Sequence, residues 1–426
     1  MNIKKSYDIF RAFNFLVFCV LMLLMASCRK DEFMPVPEGE IVPSEERTAN
    51  LKEVLSATSY TLFKAAWARS TMEAKLKTYG ERTKFTLFVP TDAAFLADGM
   101  TLEKINTTSP EVLDELLMYH TIASGVNPRD LVARLDNTIE KSILPNPALR
   151  TKPISPFNSG GSDPYFYRQY LKVEQGHLYI NGKDAGNVQP ISAKNGILWP
   201  VNRLLHKPTK TMLQALQDDG RFGIYLDVMQ RCSDLYFEIT EYNLERPWTP
   251  GLVVDETQGP PYVNIVFSSL LAPTDAAFHT AGFADADAVM EFNKKRGLPY
   301  VDWDLGEVVG MFASDYLLTL HRWSDLIYPK SANYSFGGRA NSTCFYSNDL
   351  NNDLLENYML RDGQYDGTLP VMTMPLEFGK TANGAVTIKA KGSTHTPATI
   401  IEGDINTLMG PIHAVDHLIP TADFKF

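Results

Sequence analysis

The stretch TLFVPTDAAF, residues 86–95, returns as SLLAPTDAAF at residues 269–278. Chance repetition of the hexapeptide PTDAAF behind a similar apolar lead-in is improbable, so internal duplication explains it best. In each copy a short β-rich run stops at proline, which cannot donate a hydrogen bond to a strand ladder. The Thr-Asp pair that follows offers an N-cap for a helix. The motif therefore predicts two strand–turn–helix units, each anchored in its core by a phenylalanine, Phe95 or Phe278.

Helical patterns flank the first motif on both sides. Upstream, a Thr or Asn cap precedes an apolar pattern that begins at Leu51 and continues through Leu62 and Trp67, which predicts one helix. Downstream, Ser109 caps a second helix and Pro110 occupies its first position. The predicted apolar stripe of this second helix consists of Val112, Leu113, Leu116 and Leu117.

The rest of each copy follows the same order. In the first copy, residues 170–187 predict hairpins around Gly176 and Asn181-Gly182, and residues 195–208 close the unit. The corresponding segments of the second copy are a helical opening at 211–229, a middle helix at 306–323, a strand at 384–392 and a closing strand at 410–420. The second copy carries extra sequence, chiefly in 322–380. We expect a first domain over residues 50–208 and a second domain with insertions over 209–426.

The N-terminus predicts a targeting segment. A positive start, MNIKK, precedes an apolar stretch from Phe15 to Ala26 that is shorter than the ~20 residues of a membrane helix. It ends in LLMASC, which resembles a bacterial lipobox, so residues 1–27 are interpreted as a signal peptide and Cys28 as the lipidated residue. The following RKDEF resembles the surface-export signal of lipoproteins in the Bacteroidetes group. A short anchor helix or a plain secretory signal remains the alternative, and the Pro- and Glu-rich residues 28–49 predict a flexible tether.

Composition and motif content argue against several functional classes. The net charge of −10, without a basic run or a basic–aromatic stripe, argues against nucleic acid. Outside the N-terminal segment only Cys232 and Cys344 remain, so no disulfide framework or zinc motif is predicted, although the two could pair. No glycine-rich phosphate loop or catalytic nucleophile motif is present. We expect no enzyme activity and no cofactor.

Two segments contain candidate metal ligands, but neither has the pattern of a metal site. His413 and His417 have a metal-like spacing only in a helix, whereas their flanking prolines and alternation predict a strand. Four residues along a strand span roughly 13 Å, too far for two ligands of one ion. Residues 348–367 are rich in Asp and Asn but lack the glycine and the acidic last residue of an EF-hand in register, so a solvated loop is favoured over a calcium site.

Three elements together resemble the fasciclin domain: the strand with PTDAAF, a helix that ends in Tyr119-His120, and the closing segment NGILWPVNRLLHKP. The second copy keeps the histidine in Leu320-His321 and closes with GPIHAVDHLIP. The resemblance covers about residue 50 to 426. It implies an α+β fold with two tandem fasciclin-like domains, each a small β-sandwich flanked by helices. It also implies an adhesion role without catalysis.

Candidate ligand contacts come from two sources. By the resemblance, Tyr119, His120 and His321 are candidates for an adhesion epitope, with a buried histidine joining helix to sheet as the alternative. Tyr242 and Trp248 belong to an aromatic cluster in a Pro-rich insertion, where rings could stack on sugar faces. The alternative is that these rings only hold the insertion against its domain.

The sequence thus predicts a non-catalytic binding or adhesion protein, anchored by lipid in the outer membrane and exposed at the cell surface. Its expected partners are an extracellular protein or glycan and the membrane itself. The alternative is an accessory glycan-capture lipoprotein that works with an outer-membrane transporter complex of a polysaccharide uptake system.

Overall fold

The computed structural model describes residues 48–426 apart from 152–162, 242–252, 256–261, 266, 324–326, 330–343 and 362–370. The predicted signal peptide, Cys28, nearly all of the predicted tether, Tyr242 and Trp248 lie outside the described residues. Contacts group Arg47–Phe426 into one compact unit.

The first repeat runs from α1 to β8. Its helices are α1 Leu51–Ser56, α2 Thr61–Arg69, α3 Met72–Lys77, α4 Asp92–Ala97, α5 Leu102–Thr107, α6 Pro110–Tyr119 and α7 Pro128–Val132. Its strands are β1 Phe85–Pro90, β2 Thr121–Ile122, β3 Thr138–Thr151, β4 Asp163–Glu174, β5 His177–Ile180, β6 Lys183–Asn187, β7 Ile191–Ala193 and β8 Gly196–Val201.

The second repeat runs from α8 to β21. Its helices are α8 Met212–Asp218, α9 Gly223–Thr240, α10 Asp275–Thr280, α11 Ala286–Arg296, α12 Ala313–Leu318 and α13 Asn352–Leu355, with 3₁₀ turns at Thr319–His321 and Ser347–Asp349. Its strands are β9 Val253–Asp255, β10 Tyr262–Ile265, β11 Ser269–Pro273, β12 Tyr300–Asp302, β13 Glu307–Val309, β14 Arg322–Trp323, β15 Ile327–Pro329, β16 Tyr358–Arg361, β17 Val371–Thr373, β18 Leu376–Lys380, β19 Val386–Ala390, β20 Ala398–Thr407 and β21 Gly410–Val415.

The two repeats share one strand arrangement around their motifs. In the first, β1 pairs antiparallel with β2 and parallel with β8. In the second, β11 pairs antiparallel with β14 and parallel with β21. The first sheet has the order β6-β5-β4-β3-β2-β1-β8-β7 and the second β14-β11-β21-β20-β19-β18. The predicted α+β fold of two tandem fasciclin-like domains is confirmed.

The Thr-Asp pair of the motif caps two different helices. Thr91 accepts a hydrogen bond from the amide of Ala94 and so caps its own helix α4. The carboxylate of Asp92 instead reaches α2, where it accepts from the amides of Thr61 at 3.1 Å and Leu62 at 2.9 Å. Asp92 therefore binds two of the amides that a helix N-terminus leaves unpaired. The motif joins the strand, its own helix and an earlier helix at one point.

The second repeat reproduces this cap. Thr274 accepts from Ala277 at the start of α10, and Asp275 accepts from the amide of Ile224 in the first turn of α9 at 2.7 Å. Gly223 precedes Ile224, and a Cβ there would lie 3.3 Å from the Asp275 carboxylate. Duplication is therefore visible in individual hydrogen bonds as well as in strand order.

A glycine opens each closing strand because two backbones meet there. A Cβ at Gly196 would lie 2.0 Å from the carbonyl oxygen of Phe85, and a Cβ at Gly410 would lie 2.2 Å from that of Ser268. Both glycines also have positive φ, +158° and +134°. Any side chain at these positions would force β1 and β8, or β11 and β21, apart.

One hydrophobic cluster joins the two repeats. It contains Trp199 of the first repeat and Phe278 of the second among its buried members. Across the junction the ring of Tyr165 stacks on that of Phe267 at 6.1 Å, and the Arg168 guanidinium lies 3.6 Å from the centre of the Phe267 ring. The Tyr165 hydroxyl donates to the carbonyl of Leu408 at 3.0 Å. The boundary predicted at residues 208 and 209 stays a prediction, because the core is continuous across it.

Some local predictions need correction. The single helix expected from Leu51 to Trp67 is two helices, because Asp92 captures the amides that open α2 at Thr61. Val112, predicted on the apolar stripe of α6, is exposed, and buried Asp114 replaces it on the packed face, where it accepts from the Thr71 amide and hydroxyl. The hairpin turns at Gly176 and Asn181-Gly182 are confirmed.

Replacing Asp92 by alanine should lower the free energy of unfolding by about 1–2 kcal/mol at pH 7, the usual effect of losing a cap. Although burial raises it, hydrogen bonds from Thr61 and Leu62 hold the pKa of Asp92 below its usual value. A lowered carboxyl pKa contributes stability above the unfolded-state pKa, and that contribution is lost as the pH falls through the folded-state pKa. The difference between wild type and variant should therefore shrink below pH 4. Urea titrations at several pH values, with exposed Glu81→Ala as control, test this; a difference independent of pH contradicts it.

Phe278→Ala should lower the free energy of unfolding by ~3–5 kcal/mol, because Phe278 is fully buried and its removal leaves a cavity. Phe237 is 48% exposed on α9 of the same repeat, so Phe237→Ala serves as the matched control with an expected change within about 0.5 kcal/mol. Equal denaturation midpoints for the two variants would show that Phe278 is no core anchor.

Candidate functional site

The clearest candidate for a contact surface is a two-stranded hairpin in the second repeat, between α11 and α12. Strands β12 and β13 pair in the register Tyr300↔Val309, Val301↔Val308 and Asp302↔Glu307. Side chains of opposed residues share a face of an antiparallel pair. Val308 packs against the main core, so the face with Tyr300, Asp302 and Glu307 points away from it. Tyr300 is 55% exposed.

The turn of this hairpin has a defined backbone. One carboxylate oxygen of Asp302 accepts from the amides of Asp304 at 3.0 Å and Leu305 at 3.2 Å. The Asp302 carbonyl accepts from the amide of Gly306 at 2.8 Å, and Gly306 has a φ of +69° that favours glycine. The turn presents Trp303, 81% exposed, and Leu305, 68% exposed. Large apolar side chains are thus displayed on a hydrogen-bonded turn rather than buried.

The charged residues of the hairpin itself, residues 300–309, are all acidic. Asp302, Asp304 and Glu307 surround Trp303 and Leu305, and neither Asp304 nor Glu307 forms an ion pair with any described residue. An indole face beside carboxylates can stack on an apolar ring face while the oxygens accept hydrogen bonds from hydroxyl groups.

His120, predicted as a ligand contact, is a framework residue. It is 1% exposed at the end of α6. Its Nε2 accepts from the amide of Leu205 at 3.0 Å, so Nδ1 carries the proton and donates to the carbonyl of Leu116 at 2.8 Å. Burial lowers the pKa of His120 to about 4. The neutral ring ties the helix to the segment that follows β8.

His321 repeats this arrangement in the second half. Its Nε2 accepts from the amide of Ile419 at 2.9 Å, and its Nδ1 donates to the carbonyl of Leu271 at 2.6 Å. Burial lowers the pKa of His321 to about 4 as well. The prediction of His120 and His321 as ligand contacts is therefore corrected, and the alternative of a buried histidine that joins helix to sheet describes both.

Of the other predicted ligand contacts, one is described by the structure and two are not. Tyr119 is buried, its hydroxyl accepts from the Asn181 amide at 3.4 Å, and burial raises its pKa above the usual value. Tyr242 and Trp248 lie outside the described residues, so their proposed role in sugar binding stays a prediction.

The remaining sequence candidates are structural where they are described. Cys232 and Cys344 are buried separately and form no disulfide with each other. His413 lies in strand β21, as predicted, with its Nε2 2.9 Å from the carbonyl oxygen of Phe345. Asp349, in the segment considered for calcium, is buried against Asn137, and burial raises its pKa to about 7. Within the described ranges no group of three or more His, Cys, Asp or Glu residues is placed to hold a metal ion.

Sequence reasoning missed Trp303 because it assigned residues 306–323 to one helix. Residues Glu307–Val309 form β13, and the helix begins only at Ala313. The signal was present in YVDWDLGEVV, residues 300–309, where two short β-rich runs flank a turn with Asp and Gly. A tryptophan between two aspartates at such a turn has no core to enter.

These internal parallels agree with the comparison to known families. Residues 57–207 match the family model of the Fasciclin domain. That match covers the first repeat, and the second repeat shows the same strand pairing, Asp caps and histidine bridges. Fasciclin domains are associated with cell adhesion and binding.

A solved structure also matches over much of the chain. It is entitled "Novel Fold Revealed by the Structure of a FAS1 Domain Pair from the Insect Cell Adhesion Molecule Fasciclin I". The match has 14% sequence identity and a TM-score of 0.28 and covers 84% of this chain and 95% of that chain. At that TM-score the likeness adds nothing to the fold argument. No curated protein matches the chain.

Proposed function

We propose that this chain is a non-catalytic, lipid-anchored surface protein whose second repeat binds a neutral saccharide at the tip of the β12–β13 hairpin. The observation that carries the proposal is the 81% exposure of Trp303 on a hydrogen-bonded turn. A turn that is already ordered loses little conformational entropy on binding. The fasciclin match of residues 57–207 supports a binding role in general terms.

The chemistry of the tip favours a neutral saccharide over an anionic one. Asp302, Asp304 and Glu307 would repel a carboxylate or sulfate at short range. The same oxygens can accept hydrogen bonds from sugar hydroxyls while the indole of Trp303 stacks on the apolar face of the ring. Tyr300 offers a second exposed ring on the same hairpin.

The lipid anchor rests on the sequence around Cys28. The motif LLMASC resembles a lipobox, and acyl chains on a cysteine hold a protein at a membrane through ~0.8 kcal/mol per buried methylene. Among the described residues, no helix combines the length and apolar character needed to cross a bilayer. We infer an outer-membrane location with the two repeats outside, from the RKDEF segment that follows Cys28.

Cys28→Ser should abolish metabolic labelling with a fatty acid and shift the full chain from the membrane fraction to the soluble fraction. The reason is that serine lacks the thiol to which the diacylglyceryl group is attached. Cys344→Ser, which removes a buried thiol in the second repeat, should leave labelling unchanged. Full membrane retention of the Cys28 variant would contradict the anchor.

Trp303→Ala should reduce binding to a neutral glycan by about tenfold or more, which corresponds to ~1.4 kcal/mol. The purified full chain is screened on a glycan array, and each selected sugar is then titrated against wild type and variant. Tyr79→Ala is the control, because Tyr79 is a partly exposed aromatic residue of the first repeat. An array without selective binding, or equal affinities for wild type and Trp303→Ala, would overturn the saccharide assignment and leave a protein ligand as the next candidate.

A further inference from the structure

A concave surface lies at the junction of the repeats, and none of the hairpin residues lines it. It has a volume of about 410 Å³, within the range of small-molecule sites. The first repeat contributes the β5–β6 turn at 180–183 and the segment 203–210 that follows β8. The second repeat contributes one end of α8 and residues 404–406 of β20. Both halves are therefore needed to form this cleft.

Close packing shapes the wall where the repeats meet. Gly182 has a φ of +75°, and a Cβ there would lie 2.4 Å from the carboxylate carbon of Asp404. Asp404 is buried and accepts from the Ser347 amide at 2.7 Å and hydroxyl at 2.5 Å. The negative charge of Asp404 is thus held within the wall by its own partners.

The other two acids of the cleft, Asp218 and Asp219, form ion pairs. The Asp219 carboxylate is bound by the guanidinium of Arg221, with Nη2 2.5 Å from Oδ2, and that hydrogen bond lowers the pKa of Asp219. Asp218 pairs with Lys210 at 2.7 Å. Asp218 and Asp219 therefore have cationic partners, although Arg221 also pairs with Glu402 at 2.6 Å. Asp404 is held by hydrogen bonds from Ser347 and keeps its negative charge.

Two cations that line the cleft have no ion-pair partner among the described residues. Lys207 is paired with Glu115, whereas Lys183 and Arg203 form no ion pair with any described residue. Lys183 is exposed beside Gly182, and Arg203 is half-buried two residues after β8. Lys183 and Arg203 are therefore available to bind an anionic group of a ligand without first breaking an ion pair. Arginine in particular matches the planar geometry of a carboxylate or sulfate group.

The remaining lining suits a ligand with both polar and apolar parts. Leu205 and Ile405 provide apolar surface, and Thr209 and Asn406 provide polar groups. A bare inorganic anion would leave most of a 410 Å³ space unused. An acidic monosaccharide carries an anionic group, hydroxyls and an apolar ring face together.

We propose that the junction cleft binds an acidic sugar, with Lys183 and Arg203 holding its carboxylate or sulfate group. This site is separate from the Trp303 hairpin and does not depend on the function proposed for it. Within the described part of the chain, the hairpin presents unpaired carboxylates and the cleft presents two unpaired cations, so a neutral sugar at the hairpin and an acidic sugar in the cleft can be distinguished by variants.

The test is calorimetric titration of the purified full chain at low ionic strength with glucuronate, glucose 6-sulfate, glucose and sodium sulfate. We expect saturable binding of at least one acidic sugar, weaker binding at 0.5 M salt, and at least a tenfold loss of affinity in the double variant Lys183→Ala/Arg203→Ala. Arg82→Ala/Lys84→Ala removes the same charge from exposed positions elsewhere and should bind like wild type. Trp303→Ala should leave this binding unchanged.

Four results would overturn the proposal. One is equal affinity of the two double variants, another is glucose binding as tight as glucuronate binding, and the third is no binding of either acidic sugar. Sodium sulfate bound as tightly as the acidic sugars would overturn the assignment of a saccharide. Lys183→Ala alone, at an exposed position, should give a several-fold loss with an unchanged melting temperature, which separates loss of binding from loss of folding.

Discussion

The structure depends on the parallel pairing of β1 with β8 and of β11 with β21. Parallel neighbours cannot be joined by a tight turn, so the chain between them must leave the sheet and return. In each repeat the closing strand comes back beside the strand that carries the motif, and a glycine, Gly196 or Gly410, lets the two backbones meet. The helices and strands between these two strands in the sequence therefore belong to the long connection that joins them. The pairing joins residues more than a hundred positions apart, so its formation carries a large loop-closure entropy cost.

Buried hydrogen bonds make this closure specific. A neutral histidine, His120 or His321, accepts from an amide four residues after its closing strand, and an aspartate, Asp92 or Asp275, binds the first turn of a preceding helix. A buried imidazole left without these partners would cost stability, as would exposed helix amides without a cap. The repeated sequence motif is therefore explained by the closure of the fold, and it needs no ligand to account for its duplication.

Much of the fold could be predicted from the sequence because its motifs have local causes. The site could not, because it depends on contacts between residues that are distant in the sequence. The motif, the Thr caps and the Asn181-Gly182 turn are local patterns with local causes, and the structure contains each of them. Asp92 was expected to cap within its own turn, whereas its carboxylate reaches the helix at Thr61, thirty-one positions earlier. No local pattern encodes that partner. Likewise, the helical pattern alone does not determine whether Val112, at the edge of the apolar stripe, is buried. Tertiary packing leaves Val112 exposed and buries Asp114 instead.

Both proposed binding surfaces lie where the repeats differ or where they meet. The positions that correspond, such as Trp199 and His413 in the closing strands, are buried and bonded to neighbouring carbonyls, Trp199 through Nε1 to Val126 and His413 through Nε2 to Phe345. Groups so engaged are inaccessible to a ligand. The β12–β13 hairpin with Trp303 has no counterpart among the described elements of the first repeat, and the junction cleft exists only because the repeats pack together. The framework is common to both repeats, whereas the two proposed binding surfaces are a hairpin present in one repeat and the seam between the two.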